Sequence, residues 1–279
     1  MLGRLLSGLV ADSPSESSAQ ADGLEVLVVA NGCSDETAKV AANHPNVQVI
    51  ETPVPNKHRA LRLGDEHASG FPRLYVDADV ELTTADALSL AKAVSQPGVH
   101  AAAPTRITPL VGCPWTVRWY YQVWERLPVV QQGLFGRGVI ALSAEGHARV
   151  AALPELMGDD LAASLSFTQQ ERSVVEHARV VVYPPRTLGD LLRRRVRSMT
   201  VTTQAAHQTR LPGSRTSKED LADLLREAPL RNGPRLAWFV IVTAIARSRA
   251  RRAVKAGDFT TWLRDESSRA AAAEAAERK

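Results

Sequence analysis

The chain has 279 residues, of which 44% are hydrophobic, and its formal net charge is +4. This length suits one large α/β domain or two small ones, and the hydrophobic share is ample for a folded core. The small charge gives little support to a nucleic-acid partner. Cys33 and Cys113 are too far apart in sequence to suggest a disulfide framework or a zinc site, so we expect a cytoplasmic protein.

The first part of the chain alternates predicted helices and strands. Leu2, Leu5 and Leu9 recur at helical spacing, which predicts an amphipathic helix rather than a signal peptide. After a Ser-rich linker come predicted strands at LEVLVVA, VQVIET and RLYVDADV, with a helix at KHRALRLGDEHA. Such alternation favours a mostly parallel central sheet flanked by helices, which binds ligands at the carboxyl ends of its strands.

The later part of the chain becomes helical. Strands are predicted at GVHAAAPT, GVIAL and SVVEHARVVV, an aromatic helix at PWTVRWYYQVWERL, and an Arg-rich helix after TLGD. Residues 211–265 are predicted to form a helical C-terminal extension, and residues 266–279 a disordered tail. The late apolar run LAWFVIVTAIA is too short to span a bilayer.

Two carboxylates, Asp77 and Asp79, follow the apolar run LYV. In an extended strand, residues i and i+2 face the same side, so their charges would repel each other. A Mg²⁺ or Mn²⁺ ion that bridges to a phosphorylated substrate would offset this repulsion. The alternative is a solvated strand end at which aspartate opens a turn.

Five sequence blocks together carry a family resemblance. In chain order they are VLVVANGCSDETA, NKHRALRLG, LYVDADVEL, GDDLAASL and RRRVRS. Their order and spacing resemble the family 2 glycosyltransferases, which have the GT-A fold of nucleotide-diphospho-sugar transferases. The resemblance covers about Met1 to Gln204 and implies a glycosyltransferase domain over residues 1–210.

The resemblance implies a donor site. Asn31 and Asp35 would surround the nucleotide base and ribose, and Lys57 would approach the nucleotide or diphosphate. Asp77 and Asp79 would bind the divalent metal, with Asp79 the more direct ligand. A basic motif would close over the diphosphate, and its residues are Arg194, Arg195 and Arg197.

The resemblance also implies a reaction. Asp160, beside Asp159, matches the catalytic base of an inverting transferase that moves a sugar from a nucleotide-diphospho-sugar to an acceptor hydroxyl. The base takes the hydroxyl proton, while the metal and the arginines stabilise the leaving diphosphate. The expected setting is cell-surface glycan or glycolipid biosynthesis.

Several of these residues also have a simpler structural interpretation. Asp159 and Asp160 could be helix N-caps, Lys57 could lie on a solvated helix face, and residues 193–197 could form a solvated or nucleic-acid-binding face. The aromatic residues of 115–124 fit core packing better than a sugar-stacking wall for most members. The glycines at 133, 136 and 138 form no phosphate-loop motif and are expected to allow a tight turn or a close approach to the acceptor.

The sequence departs from the family pattern in two places. The usual first strand and its base-binding loop are not found before the first helix, which predicts a weakened donor pocket. The usual Gln-x-x-Arg-Trp motif is replaced by RRVRS at 194–198. This replacement keeps the cations, removes an aromatic platform and argues against a processive polysaccharide synthase.

Two other functions stay open. The first is a non-catalytic scaffold or binding protein with a glycosyltransferase fold, and the second is an RNA-binding protein that uses its arginine clusters. The helix RLAWFVIVTAIARSRARRAVK either packs on the protein, which is the plainer choice, or rests on an anionic membrane surface at the inner face.

Overall fold

The structure is a computed structural model that describes residues 1–10, 24–153, 164–208, 216–256 and Ser267, with the side chains of 201–208 left out. The helices are α1 (Leu2–Val10), α2 (Thr37–Ala42), α3 (Lys57–His67), α4 (Thr84–Val94), α5 (Trp115–Trp124), α6 (Pro128–Gln132), α7 (Ala144–Ala151), α8 (Leu188–Gln208), α9 (Lys218–Glu227) and α10 (Pro229–Lys255). The strands are β1 (Val26–Asn31), β2 (Val47–Thr52), β3 (Arg73–Val76), β4 (Val80–Glu81), β5 (Ala101–Ile107), β6 (Val139–Leu142) and β7 (Arg172–Val182).

The chain divides into two compact units. The first unit comprises residues 1–107, 137–151 and 169–182, and therefore holds all seven strands of the described part of the chain. The second unit comprises residues 108–136, 152–168 and 183–279. This division differs from the predicted boundary at residue 210, because helices from the middle of the chain share a core with the C-terminal helices.

The first unit is an α/β structure with two sheets. β1 and β2 form a parallel pair, and the other strands form a mixed sheet in the order β3-β6-β5-β7-β4. In that sheet β5 and β7 run parallel, while β6 and β4 run antiparallel to their neighbours. The predicted α/β class with flanking helices is confirmed, but the prediction of a mostly parallel sheet was wrong, since alternation of elements does not fix strand direction.

Apolar periodicity explains the core of the first unit. The amphipathic helix predicted at the start of the chain is confirmed as α1, and its buried face consists of Leu5, Leu6 and Leu9. These leucines pack near α4, which begins with a capping box between Thr83 and Asp86. The core is completed by small and β-branched strand residues, among them Ala102, Val139, Ala141, Val175, Ala178 and Val180.

Gly146 marks the tightest backbone approach in the first unit. A Cβ atom at Gly146 would lie 2.2 Å from the carbonyl oxygen of His100. We therefore expect Gly146→Ala to lower the free energy of unfolding by about 1–3 kcal/mol, because backbone must move to admit the methyl group. Chemical denaturation measures this loss.

Gly64 supplies the matched control for that prediction. It also lies in a helix, but its Cβ would be 3.5 Å from Val29 Cγ2, an ordinary contact. Gly64→Ala should be neutral or stabilising by up to about 1 kcal/mol, because alanine has the higher helix propensity. Equal losses for the two variants would contradict the close approach at Gly146.

The described residues of the second unit are mainly helical. α10 packs against α8, α5 and α9 around an apolar core that contains Val117, Leu191, Val196, Leu224 and Phe239. This arrangement confirms the predicted helical C-terminal region, whereas most of the predicted tail lies outside the described residues. None of the helices that the structure describes is long and apolar enough to cross a membrane.

The aromatic helix α5 contributes mainly to this core. Tyr120 and Tyr121 are buried, and the Tyr120 ring stacks on Phe239 with centroids 5.1 Å apart. Trp115 is the exception, because 53% of its surface is exposed. Core packing is thus the role of most members of this group, as the helical spacing predicts.

Candidate functional site

The loops that follow β1 and β2 pack against each other. Asn31, at the end of β1, lies opposite Thr52 at the end of β2 in the parallel register. Gly32 follows with φ +59°, and a Cβ there would be 2.7 Å from Pro55 Cβ. Only glycine combines this left-handed backbone with so close an approach. The sequence block around Asn31 is thereby held against the loop that leads to Lys57.

Asp35 shapes the start of α2. Its Oδ1 accepts a hydrogen bond from the backbone N–H of Thr37 over 3.1 Å, which satisfies a donor at the helix start. The N-cap position itself is Glu36, whose side chain makes no capping bond. Asp35 thus stabilises the helix start from the residue before the N-cap, and its carboxylate is exposed.

Helix α3 and strand β3 contact each other at both ends. At one end Asp65 Oδ1 accepts hydrogen bonds from Arg73 Nη1 over 2.9 Å and from the Tyr75 hydroxyl over 2.7 Å. Burial and the neighbouring Asp65 carboxylate raise the pKa of Tyr75, so the tyrosine remains a neutral donor. This anchor fixes the orientation of α3 on β3 and hence the position of Lys57 at the other end.

Lys57 and Asp77 form the centre of the candidate site. Asn56 caps α3 by accepting from the Arg59 N–H over 2.9 Å, and Lys57 is the first helical residue. The Lys57 ammonium donates to Asp77 Oδ1 over 2.8 Å. Their side chains are 40% and 43% exposed, so both can still reach a ligand. The structure thus brings together two residues that the resemblance assigns to one site.

Asp77 and Asp79 lie in a turn, not in a strand. β3 ends at Val76, and the Val80 N–H donates to the Asp77 carbonyl over 3.4 Å. The expectation that both carboxylates face one side of a strand was therefore wrong, because two-residue alternation applies only to extended backbone. Asp79 is exposed at the tip of this turn, whereas Asp77 is half-buried.

Gly138, the residue before β6, supports Asp77. The Asp77 N–H donates to the Gly138 carbonyl over 2.7 Å. Gly138 has φ +68°, and a Cβ there would lie 2.5 Å from Val80 Cγ1 and 3.5 Å from Asp77 Oδ2. The sequence predicts a tight turn here, and the positive φ confirms it. The sequence analysis did not predict that this glycine supports Asp77. The two residues are 61 positions apart, and local sequence patterns do not reveal contacts over such a separation.

Gly138→Ala should both destabilise the protein and displace Asp77. The left-handed backbone and the clash with Val80 should together lower the free energy of unfolding by about 3 kcal/mol. Gly98→Ala is the control, since Gly98 has φ +80° but open space around its Cβ, and it should cost only about 1 kcal/mol. Thermal denaturation of both variants separates backbone strain from the clash, and equal costs would contradict the clash.

A buried arginine lies next to Gly138. Arg137 is 4% exposed, and its Nη1 donates to the Pro104 carbonyl over 2.9 Å. Burial, together with the positive charge of Arg106, lowers the pKa of Arg137 to about 10. It still carries its charge at neutral pH. The sequence analysis did not predict that Arg137 is buried beside the site. The sequence signal for it is its position between two glycines, and both of these have positive φ.

The two carboxylates suit a hard divalent cation only in part. Carboxylate oxygens are the ligands that Mg²⁺ and Mn²⁺ prefer, and Mg²⁺ is commonly held by one or two of them together with substrate phosphates. Among the described residues no group of three or more histidine, cysteine, aspartate or glutamate side chains could hold a metal by itself. Asp77 and Asp79 are thus two donors of the right type, which by themselves do not complete the ligand set of a metal.

The predicted basic motif lies on α8 in the second unit. Arg194 Nη1 donates to the Tyr183 carbonyl over 3.0 Å. The Arg195 guanidinium lies over the rings of Tyr120 and Trp124, at 5.7 and 5.6 Å from their centroids. Arg197 is half-buried on the same helix. Arg195 thus has a packing role within its own unit.

Asp159 and Asp160 lie outside the residues that the structure describes. The prediction that Asp160 is the catalytic base, and the alternative that the pair caps a helix, both stay predictions.

Comparison with known proteins gives a family and a fold. Residues 3–132 match the family described as Glycosyl transferase family 2. No curated protein sequence matches the chain. The chain is similar to glucosyl-3-phosphoglycerate synthase from Mycobacterium tuberculosis, solved in complex with phosphoglyceric acid, at 16% identity and a TM-score of 0.53, over 76% of each chain.

A second solved structure is more distant. It is residues 1–349 of TarS from S. aureus, at 13% identity and a TM-score of 0.39, over 93% of this chain and 90% of that one. The synthase shares the α/β architecture, and the family match covers Asn31, Lys57, Asp77 and Asp79 together. Over residues 3–132, just under half of its length, the chain is thus similar to glycosyltransferase family 2.

Proposed function

We propose that this chain is an inverting, metal-dependent glycosyltransferase. It moves a sugar from a nucleoside-diphosphate sugar to an acceptor hydroxyl, in the synthesis of a cell-surface glycan or glycolipid at the cytoplasmic face of the membrane. The observation that supports this most is the contact of Lys57 with Asp77 over 2.8 Å, within the segment that matches family 2. It joins a cation and a carboxylate where β3 ends.

The donor diphosphate would bind at that strand end. Its negative charge suits the Lys57 ammonium, which the structure already places at Asp77. Asp77 and Asp79 would hold Mg²⁺ or Mn²⁺ together with phosphate oxygens, and the metal would act as a Lewis acid that stabilises the leaving diphosphate. Asn31 and Asp35, which follow β1, would contact the nucleoside.

The transfer itself needs one base. Asp160 would accept the proton of the acceptor hydroxyl as that oxygen attacks the anomeric carbon. The new bond forms between the acceptor oxygen and this carbon, while the bond from the carbon to the diphosphate oxygen breaks. The electron pair leaves with the nucleoside diphosphate. A single displacement of this kind inverts the anomeric configuration.

The proposal is tested by donor turnover. The intact chain is incubated with Mn²⁺ and a panel of UDP-sugars and GDP-sugars, and release of free nucleoside diphosphate is measured with and without candidate glycan or lipid acceptors. We expect turnover of one donor class that requires the metal and is lost in Asp79→Ala. Turnover that is insensitive to chelation would contradict the metal, and a lack of turnover with every donor and acceptor would contradict the activity.

A further inference from the structure

Helix α10 exposes an apolar face that the second unit does not cover. Its core-facing residues are Asn232, Leu236, Phe239, Val242, Ala246 and Ala250. On the opposite side, at helical spacing, Leu230 is 96% exposed, Ile241 is 49% exposed and Ile245 is 39% exposed. Val240 flanks this row and is also 49% exposed. Large apolar side chains clustered at a surface are typical of an interaction site.

The same face turns basic along the helix. Beyond Ile245 the exposed row continues with Arg252 and Lys255. The exposed basic residues of this last part are Arg247, Arg249, Arg251, Arg252 and Lys255. The 27 residues of α10 include no aspartate or glutamate. One helix, about 40 Å long, thus carries apolar and cationic surface in series without any acidic side chain of its own to neutralise it.

A tryptophan cluster lies beside the apolar face. Trp238, three residues before Ile241, has its ring centroid 5.0 Å from that of Trp115, and Trp115 lies 5.0 Å from Trp119. The Trp238 indole N–H donates to the Thr116 carbonyl over 2.7 Å, which fixes its ring. Trp115 is half exposed. Tryptophan is enriched at the level of lipid headgroups, because its ring is apolar and its N–H is polar.

We propose that the exposed face of α10, together with Trp115, binds the surface of an anionic membrane with the helix axis in the bilayer plane. The apolar row enters the boundary between headgroups and acyl chains, and the basic residues contact anionic headgroups. A second copy of the chain fits this face less well, since the basic parts of two such helices would repel each other and neither helix carries an acidic side chain as counter-charge. This inference deepens the proposed function, on whose membrane setting it rests, by naming the surface that contacts the membrane, and its test depends on neither donor nor acceptor.

Vesicle sedimentation of the full chain tests the proposal. Vesicles of phosphatidylcholine alone are compared with vesicles that contain about 30 mol% phosphatidylglycerol. We expect binding to the anionic vesicles, weak binding to the neutral ones, and a loss of affinity when salt is raised from about 0.1 to 0.5 M. Ile241→Ser with Ile245→Ser, and separately Arg251→Glu with Arg252→Glu, should each lower the partition coefficient roughly tenfold or more.

Matched controls lie on α4 in the first unit. Leu88 is 43% exposed and Lys92 is exposed. Leu88→Ser therefore removes an exposed apolar side chain, and Lys92→Glu reverses an exposed positive charge, both away from α10. Both should bind vesicles as the unaltered chain does. Circular dichroism checks folding, and if the isoleucine variant does not fold, the arginine variant decides the test.

Three results would overturn the proposal. The first is no preference for anionic vesicles, and the second is a loss of binding in the controls equal to that in the α10 variants. The third is a dimer, detected by light scattering, that the isoleucine variant separates into monomers, because a second copy would then cover this face.

Discussion

Replacing Asp160 with asparagine is expected to lower the rate of sugar transfer by about two to four orders of magnitude. The amide keeps the size of the side chain but cannot take the proton of the attacking hydroxyl. Because a base acts in the transition state, the affinity for nucleoside diphosphate should change little. Single-turnover measurement of transfer, with donor affinity determined in parallel, separates these two quantities.

The neighbouring residue provides the control for this experiment. Asp159→Asn makes the same change one position earlier and should retain most of the transfer rate. A large loss in Asp159→Asn with a small one in Asp160→Asn would assign the base to the other carboxylate. Retention of the rate in both variants would mean that neither is the base.

Replacing Asp79 with alanine is expected to weaken the Mn²⁺-dependent affinity for nucleoside diphosphate by about a hundredfold. Outer-shell groups of metal sites already contribute roughly 10–100-fold to metal affinity, so a direct ligand should contribute at least as much. The loss should appear only with metal present, since Asp79 is exposed and removing it leaves the contact between Lys57 and Asp77 in place. Calorimetric titration with Mn²⁺ and with a chelator measures both affinities.

Asp223 is a suitable control for Asp79. It is also an exposed aspartate, on α9, where it pairs with Arg226 three residues later. Asp223→Ala should leave the affinity unchanged in both conditions. If Asp79→Ala weakens binding equally with and without Mn²⁺, the carboxylate acts through its charge or through folding and not as a metal ligand.

Local patterns predicted most of the secondary structure. Leucine periodicity identified α1, a run of valine and leucine identified β1, the short stretch VQVIET identified β2, and helical spacing identified α3 and α5. These elements depend on residues close in sequence, so local sequence patterns are sufficient to predict them. The resemblance then placed Lys57 and Asp77 in one site, and the structure brings them within hydrogen-bond distance.

Long-range geometry accounts for what the sequence could not predict. The antiparallel direction of β6 depends on pairing with Val76 and other β3 residues far away in the chain. The turn at Asp77 was hidden because apolar alternation continues through Val80, which starts β4. The support that Gly138 gives Asp77 depends on a hydrogen bond between the residue before β6 and the residue after β3. Such contacts form only in the folded chain.

The proposed function requires that this chain bind a nucleoside-diphosphate sugar through its diphosphate at the end of β3. Calorimetric titration of UDP and of GDP into the intact chain, each with Mn²⁺ and with a chelator, measures this binding. We expect one-to-one binding of at least one of the two nucleotides, much weaker once the metal is chelated. A folded chain that binds neither nucleotide in either condition would contradict it, and would favour a non-catalytic protein that keeps only the fold.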